Sequence, residues 1–169
     1  MRHHENYKEL IWMLAKTDFK LRYHGSVLGY FWAILKPLSM FAIMYFVFSS
    51  IFNSRGLENQ YYALQLLTGI ILFNFFSEGI MAGMSSLVSK SQLVTKIYIP
   101  RWTIIMASTI NATLIFLMNL IILVAFFVVK HFLPSLESVL LFFSFSLATY
   151  SIILSFSLIT APLYVKFRD

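Results

Sequence analysis

The 169-residue sequence has no cysteine, so neither a disulfide framework nor a thiolate metal site can form. Charge is scarce: Asp, Glu, Lys and Arg together make up 12% of the chain, and only seven residues are acidic. The four histidines are His3, His4, His24 and His131; only the first two are adjacent, and no HExxH pattern occurs. There is no GxxxxGK[ST] phosphate loop, so the chain is not expected to bind ATP by that route. The serines crowded near the C-terminal end have no histidine base beside them, and carboxylates do not pair at a catalytic spacing. No enzymatic activity and no cofactor of the chain's own are expected.

What the sequence has in abundance is apolar surface. Hydrophobic residues make up 59%, including 18 Phe and 8 Met, and mean hydropathy is +0.78. A soluble domain of this size cannot cover so much apolar surface. Four apolar segments, 27–52, 61–88, 102–129 and 139–164, each exceed the roughly 20 residues a helix needs to cross the hydrocarbon. The polar first ten residues lack the basic start, apolar run and small-residue cleavage site of a secretory signal, which leaves the first span as a permanent anchor. Residues 5–22 are too charged to cross. At helical spacing they put Tyr7, Leu10, Ile11, Leu14 and Leu21 on one side and Glu5, Lys8, Glu9, Lys16 and Lys20 on the other, while Asp18 and Arg22 stand four apart, able to pair. Such a helix lies in the membrane surface or packs on a partner. The expected fold is an all-α membrane protein forming one domain over 1–169: an N-terminal amphipathic interfacial helix plus four transmembrane helices.

The net charge of +6 does not point to nucleic acid, because the cations flank apolar spans. With the N-terminus inside, Arg2, Lys8, Lys16, Lys20, Arg22, Lys90, Lys96, Arg101, Lys166 and Arg168 are cytoplasmic, against Arg55 and Lys130 outside. That ten-to-two bias sets the orientation of a multi-pass protein whose ends both lie inside.

Lys36 and Pro37 interrupt the first span. The proline removes a helical hydrogen bond. The lysine either snorkels beside a packing kink or faces a wet cavity that takes an anionic group, with Phe31 and Trp32 at its mouth. In the second span Asn74, Glu78 and Ser85 share a narrow sector. Glu78 is the one acid well inside a predicted span, and it serves as half of a structural pair, as part of a translocation route, or in a proton relay. Gly25/Gly29 and Gly79/Gly83 each have the GxxxG spacing that lets helices approach closely. Asn111-Ala112-Thr113 matches a glycosylation acceptor but falls inside the third span. The stretch "SKSQLVTKIYIPR" (89–101) carries three cations around Leu93, Val94, Ile97 and Tyr98, an apolar cluster suited to a groove on a partner, before Pro100 stops it.

Taken together, "DFKLRYHGSVLGYFWAILKPL" (18–38), "NFFSEGIMAGMSSLVSKSQLVTKIYIPRW" (74–102) and the terminal "YVKFRD" resemble ABC-2 type permeases of the subfamily that exports O-antigen, capsule and teichoic-acid polymers. Leu93, Val94, Lys96, Tyr98, Pro100 and Arg101 fit that family's loop pattern, with Ile99 where a Phe is common. The resemblance implies a permease in the bacterial cytoplasmic (inner) membrane that moves lipid-linked polysaccharide. It implies two permease chains enclosing a path and a separate ABC ATPase chain that binds the ATP. In that frame Leu93, Val94, Lys96, Ile97, Tyr98, Pro100 and Arg101 couple to the ATPase, while Phe31, Trp32, Lys36, Asn74 and Glu78 border the path. Members of the family have six spans, so the chain is expected to be a segment ending after the fourth. Readings from other classes are an ABC-2 permease for a small molecule or drug, and a non-transport membrane anchor or assembly factor.

Overall fold

The computed structural model describes residues 7–23, 27–51, 61–96 and 99–167. Its elements are α1 (Tyr7–Tyr23), α2 (Val27–Ile51), α3 (Tyr62–Ser89), α4 (Ser91–Lys96), α5 (Arg101–Val129) and α6 (Leu136–Lys166), with no strand among the described residues. α3, α5 and α6 are each long and apolar enough to cross a membrane. α2 has 25 residues, about 37 Å of helix, and contains the shorter apolar stretch Ile34–Ser50. The protein is thus an all-α membrane protein with three long apolar helices and a shorter apolar one. α2 continues through Pro37, which is buried, while Lys36 beside it is exposed.

α3 is the central element, packed most extensively on α5 and α6. Its small residues make this possible. A Cβ added at Gly79 would stand 2.8 Å from the Ile153 side chain of α6, and one added at Gly83 would stand 2.1 Å from Ser157 Oγ. Both pairs differ by 74 in number, so α3 and α6 run in the same direction in constant register. Leu87 and Ala161 continue that register in a cluster with Ile104 and Ile105 of α5. The four-residue glycine spacing therefore serves close helix approach, as expected of GxxxG. Further along, Phe75 stacks on Phe116 at 4.4 Å in a core with Leu67, Ile71, Ile122, Leu123 and Ile153. The second half of α2 seals this core from the side. Phe41 meets Phe126 edge-on at 5.4 Å, and Tyr45 lies 6.3 Å from Tyr62.

Local chemistry fixes the helix ends. Pro100, with φ locked near −57°, is the N-cap of α5, and its carbonyl accepts from both Thr103 N–H (3.1 Å) and Thr103 Oγ1 (2.7 Å). Ser135 caps α6 by accepting from Ser138 N–H at 3.2 Å. α5 ends in a Schellman motif: Phe132 N–H donates to the Phe127 carbonyl at 3.0 Å and His131 N–H to the Val128 carbonyl at 3.1 Å. The rings of Phe127 and Phe132 meet at 5.7 Å, and His131 takes the left-handed position with φ 50°. Asn111 is buried in α5, so the Asn-Ala-Thr tripeptide cannot present a glycosylation site.

Candidate coupling site

α1 packs along α5 through part of its apolar side. Its apolar stripe is buried on α5: Tyr7 meets Trp102 at 5.6 Å, and Ile11, Leu14 and Ala15 cluster with Met106, Ala107 and Ile110. Residue numbers rise together in the two helices, so α1 follows the first turns of α5 in the same direction. Trp12 and Met13 remain exposed, and so does Leu21, although it shares the side of Ile11 and Leu14.

The charges on α1 correct the sequence reading. Asp18 and Arg22 do not pair with each other, although their spacing permits it. Arg22 pairs with Glu78 of α3, and Asp18 accepts a hydrogen bond from Lys90 Nζ at 2.5 Å. The geometry explains why each rung has one long cation. Asp18 and Arg22 are separated by about 6 Å along α1, and Glu78 and Lys90 by about 18 Å along α3. The difference is bridged by the long stems of Arg22 and Lys90. Both ion pairs are partly shielded, Lys90 most of all at 15% side-chain exposure.

Lys90 leads directly into α4. Leu93 is half-buried and packs inward, with Ile99, on Leu87, Ile104, Ile105 and Ala161. Ser91, Gln92, Thr95 and Lys96 are exposed, as is Arg101 at the start of α5, and Pro100 is half-buried. The exposed residues described in this segment are polar or cationic, and Leu93 anchors it to its own bundle. Val94 lies within α4, whereas Ile97 and Tyr98 fall outside the described residues.

The five path candidates lie on two helices, α2 and α3. Phe31, Trp32 and Lys36 are exposed on α2. Asn74 and Glu78 are half-buried on α3, and Glu78 is engaged by Arg22. Among the described residues no hydrogen bond or ion pair links Lys36 to either. Ser85, the third polar residue of that sector, donates to the Met81 carbonyl at 2.7 Å. Sequence reasoning missed Asp18, Arg22 and Lys90 as tertiary partners. The available signal was the scarcity of acids, which left Glu78 needing a cation from outside its own helix.

A family model described as ABC-2 type transporter matches residues 9–169. Two relatives, both named O-antigen export system permease protein RfbA of Klebsiella pneumoniae, are 30% and 28% identical over 129 residues, covering 76% of this chain and 49% of each relative. A protein of the same name from Myxococcus xanthus is 26% identical over 94 residues, covering 56% of this chain and 35% of its own length. The chain spans about half the length of these two Klebsiella relatives.

Proposed function

The chain belongs to the ABC-2 type transporter family, and on that premise we propose that it is the membrane-spanning permease part of an ATP-driven exporter of lipid-linked polysaccharide. A separate ABC ATPase chain binds and hydrolyses the ATP, docking on the segment from Lys90 to Arg101. A second permease chain completes the path, and the protein sits in the bacterial cytoplasmic membrane with its N-terminus inside. The observation that carries this reading is the construction of α4: a short helix pinned inward by Leu93, with Gln92, Thr95, Lys96 and the neighbouring Arg101 turned outward. A segment held in that way can transmit a push, and its cations suit an acidic edge on the partner. The substrate class rests on the names of the relatives, all O-antigen export permeases.

Phe31, Trp32 and Lys36 border the path in this reading. A lysine at the centre of a membrane helix costs about 3 kcal/mol unless it reaches water or an anion, and the exposed side of α2 gives Lys36 no partner among the described residues. A wet path carrying an anionic polymer supplies both.

Co-purification tests the docking. Lys96→Glu combined with Arg101→Glu is expected to reduce the ATPase recovered with the permease from membranes at least several-fold. Recovery equal to that of the unaltered chain removes the segment from the mechanism.

A further inference from the structure

α1 and the cytoplasmic half of α3 are joined at two points, and the second point is the residue that opens α4. We infer that the rungs Arg22–Glu78 and Asp18–Lys90 make α1 and α3 one rigid lever, so that a push on α4 moves both helices together and carries α5, on which α1 lies, with them. This rests on the docking reading above and adds positioning residues to it: Asp18, Arg22, Glu78 and Lys90.

Two observations favour a permanent tie over a latch that opens in each cycle. The first is the cost of opening. Asp18 and Arg22 could pair with each other if α1 left, but Glu78 and Lys90, 12 residues apart, could not. Glu78 stands eleven residues before Ser89, about 16 Å up α3, and departure of Arg22 would leave its carboxylate unpaired inside a membrane helix. The second is the apolar contact on the other flank. Ala15 and Ala107 are fully buried between α1 and α5, so lifting α1 would expose that seam as well. The charges and the apolar stripe therefore hold α1 from two sides.

The test uses the full chain in nanodiscs, with spin labels on Lys16→Cys and Ser89→Cys, both exposed, in a sequence free of other cysteines. The lever predicts a single narrow distance, which broadens in Glu78→Gln and narrows again when Arg22→Glu is combined with Glu78→Arg. It also predicts the same distance with the ATPase bound, with or without ATP and vanadate. A broad distribution in the unaltered chain, or a shift on ATP binding, overturns it. ATP hydrolysis is measured on the same samples. Stimulation by the permease falls several-fold in Glu78→Gln with KM for ATP unchanged, and the charge swap restores it; loss that the swap does not restore overturns the positioning role. The distances without ATPase decide the lever on their own, so an ATPase that fails to engage α4 counts against the docking reading alone.

Discussion

Removing the carboxylate of Glu78 and removing the guanidinium of Arg22 leave the bundle with different problems. Glu78→Gln keeps the shape and leaves Arg22, 42% exposed at the end of α1, free to reach water or lipid headgroups. Arg22→Ala leaves a half-buried carboxylate well inside α3 without a cation. Arg22→Ala is thus expected to cost more, about 1–3 kcal/mol, and Arg22→Ala with Glu78→Gln should recover most of that loss. Thermal unfolding of the four chains in one detergent reads the cycle, and equal losses for the two single variants contradict the assignment. His131 offers a change in the opposite direction. It holds the left-handed position that glycine usually takes, at φ 50°, while the hydrogen bonds of the motif come from backbone. His131→Gly is expected to raise stability by up to about 1 kcal/mol, measured as a higher unfolding temperature.

The contact between α3 and α6 is set by what is missing from side chains. At Gly83 a Cβ would meet Ser157 Oγ at 2.1 Å and Ser157 Cβ at 2.5 Å, and that Cβ, bonded to the α6 backbone, cannot swing away. At Gly79 the obstacles are Ile153 Cδ1 and Cγ2, both at 2.8 Å, side-chain atoms that a rotamer change can move. Gly83→Ala should therefore destabilise more than Gly79→Ala, by about 1–3 kcal/mol, and Ser157→Gly should partly rescue the former. Much at this scale was legible in the sequence. Apolar runs bounded by polar linkers located α3, α5 and α6 to within about three residues, and the Gly79/Gly83 spacing named the close contact. The partner of those glycines, the docking of α1 on α5 and the two ion pairs were not legible. Pairing across 56 to 95 residues leaves no periodic trace, and an i, i+4 pair such as Asp18 and Arg22 looks complete in itself. Leu93 shows the same limit: an apolar residue in a short loop helix fits its own bundle or a partner equally well until the bundle is seen.

For the molecule as a whole, orientation decides whether the parts can work together. The lever and α4 are useful to an ATPase only if the 90–101 segment faces the cytosol. Charge argues that it does, with ten Lys and Arg on that side against two on the other. Geometry gives positions to test it without disturbing the fold. Gln92 is exposed on α4, and Leu133 is 92% exposed in the turn between α5 and α6, outside the Phe127–Phe132 contact and before the Ser135 cap. The natural absence of cysteine makes single replacements unambiguous. In right-side-out vesicles a membrane-impermeant thiol reagent is expected to label Leu133→Cys at once and Gln92→Cys only after permeabilisation. With the ATPase bound, labelling of Gln92→Cys should slow several-fold even in permeabilised vesicles, because the docked partner covers α4, while Leu133→Cys should be unaffected. Labelling of Gln92→Cys from outside would place α4 beyond reach of any ATP-driven partner, and the proposed export mechanism would fall with it.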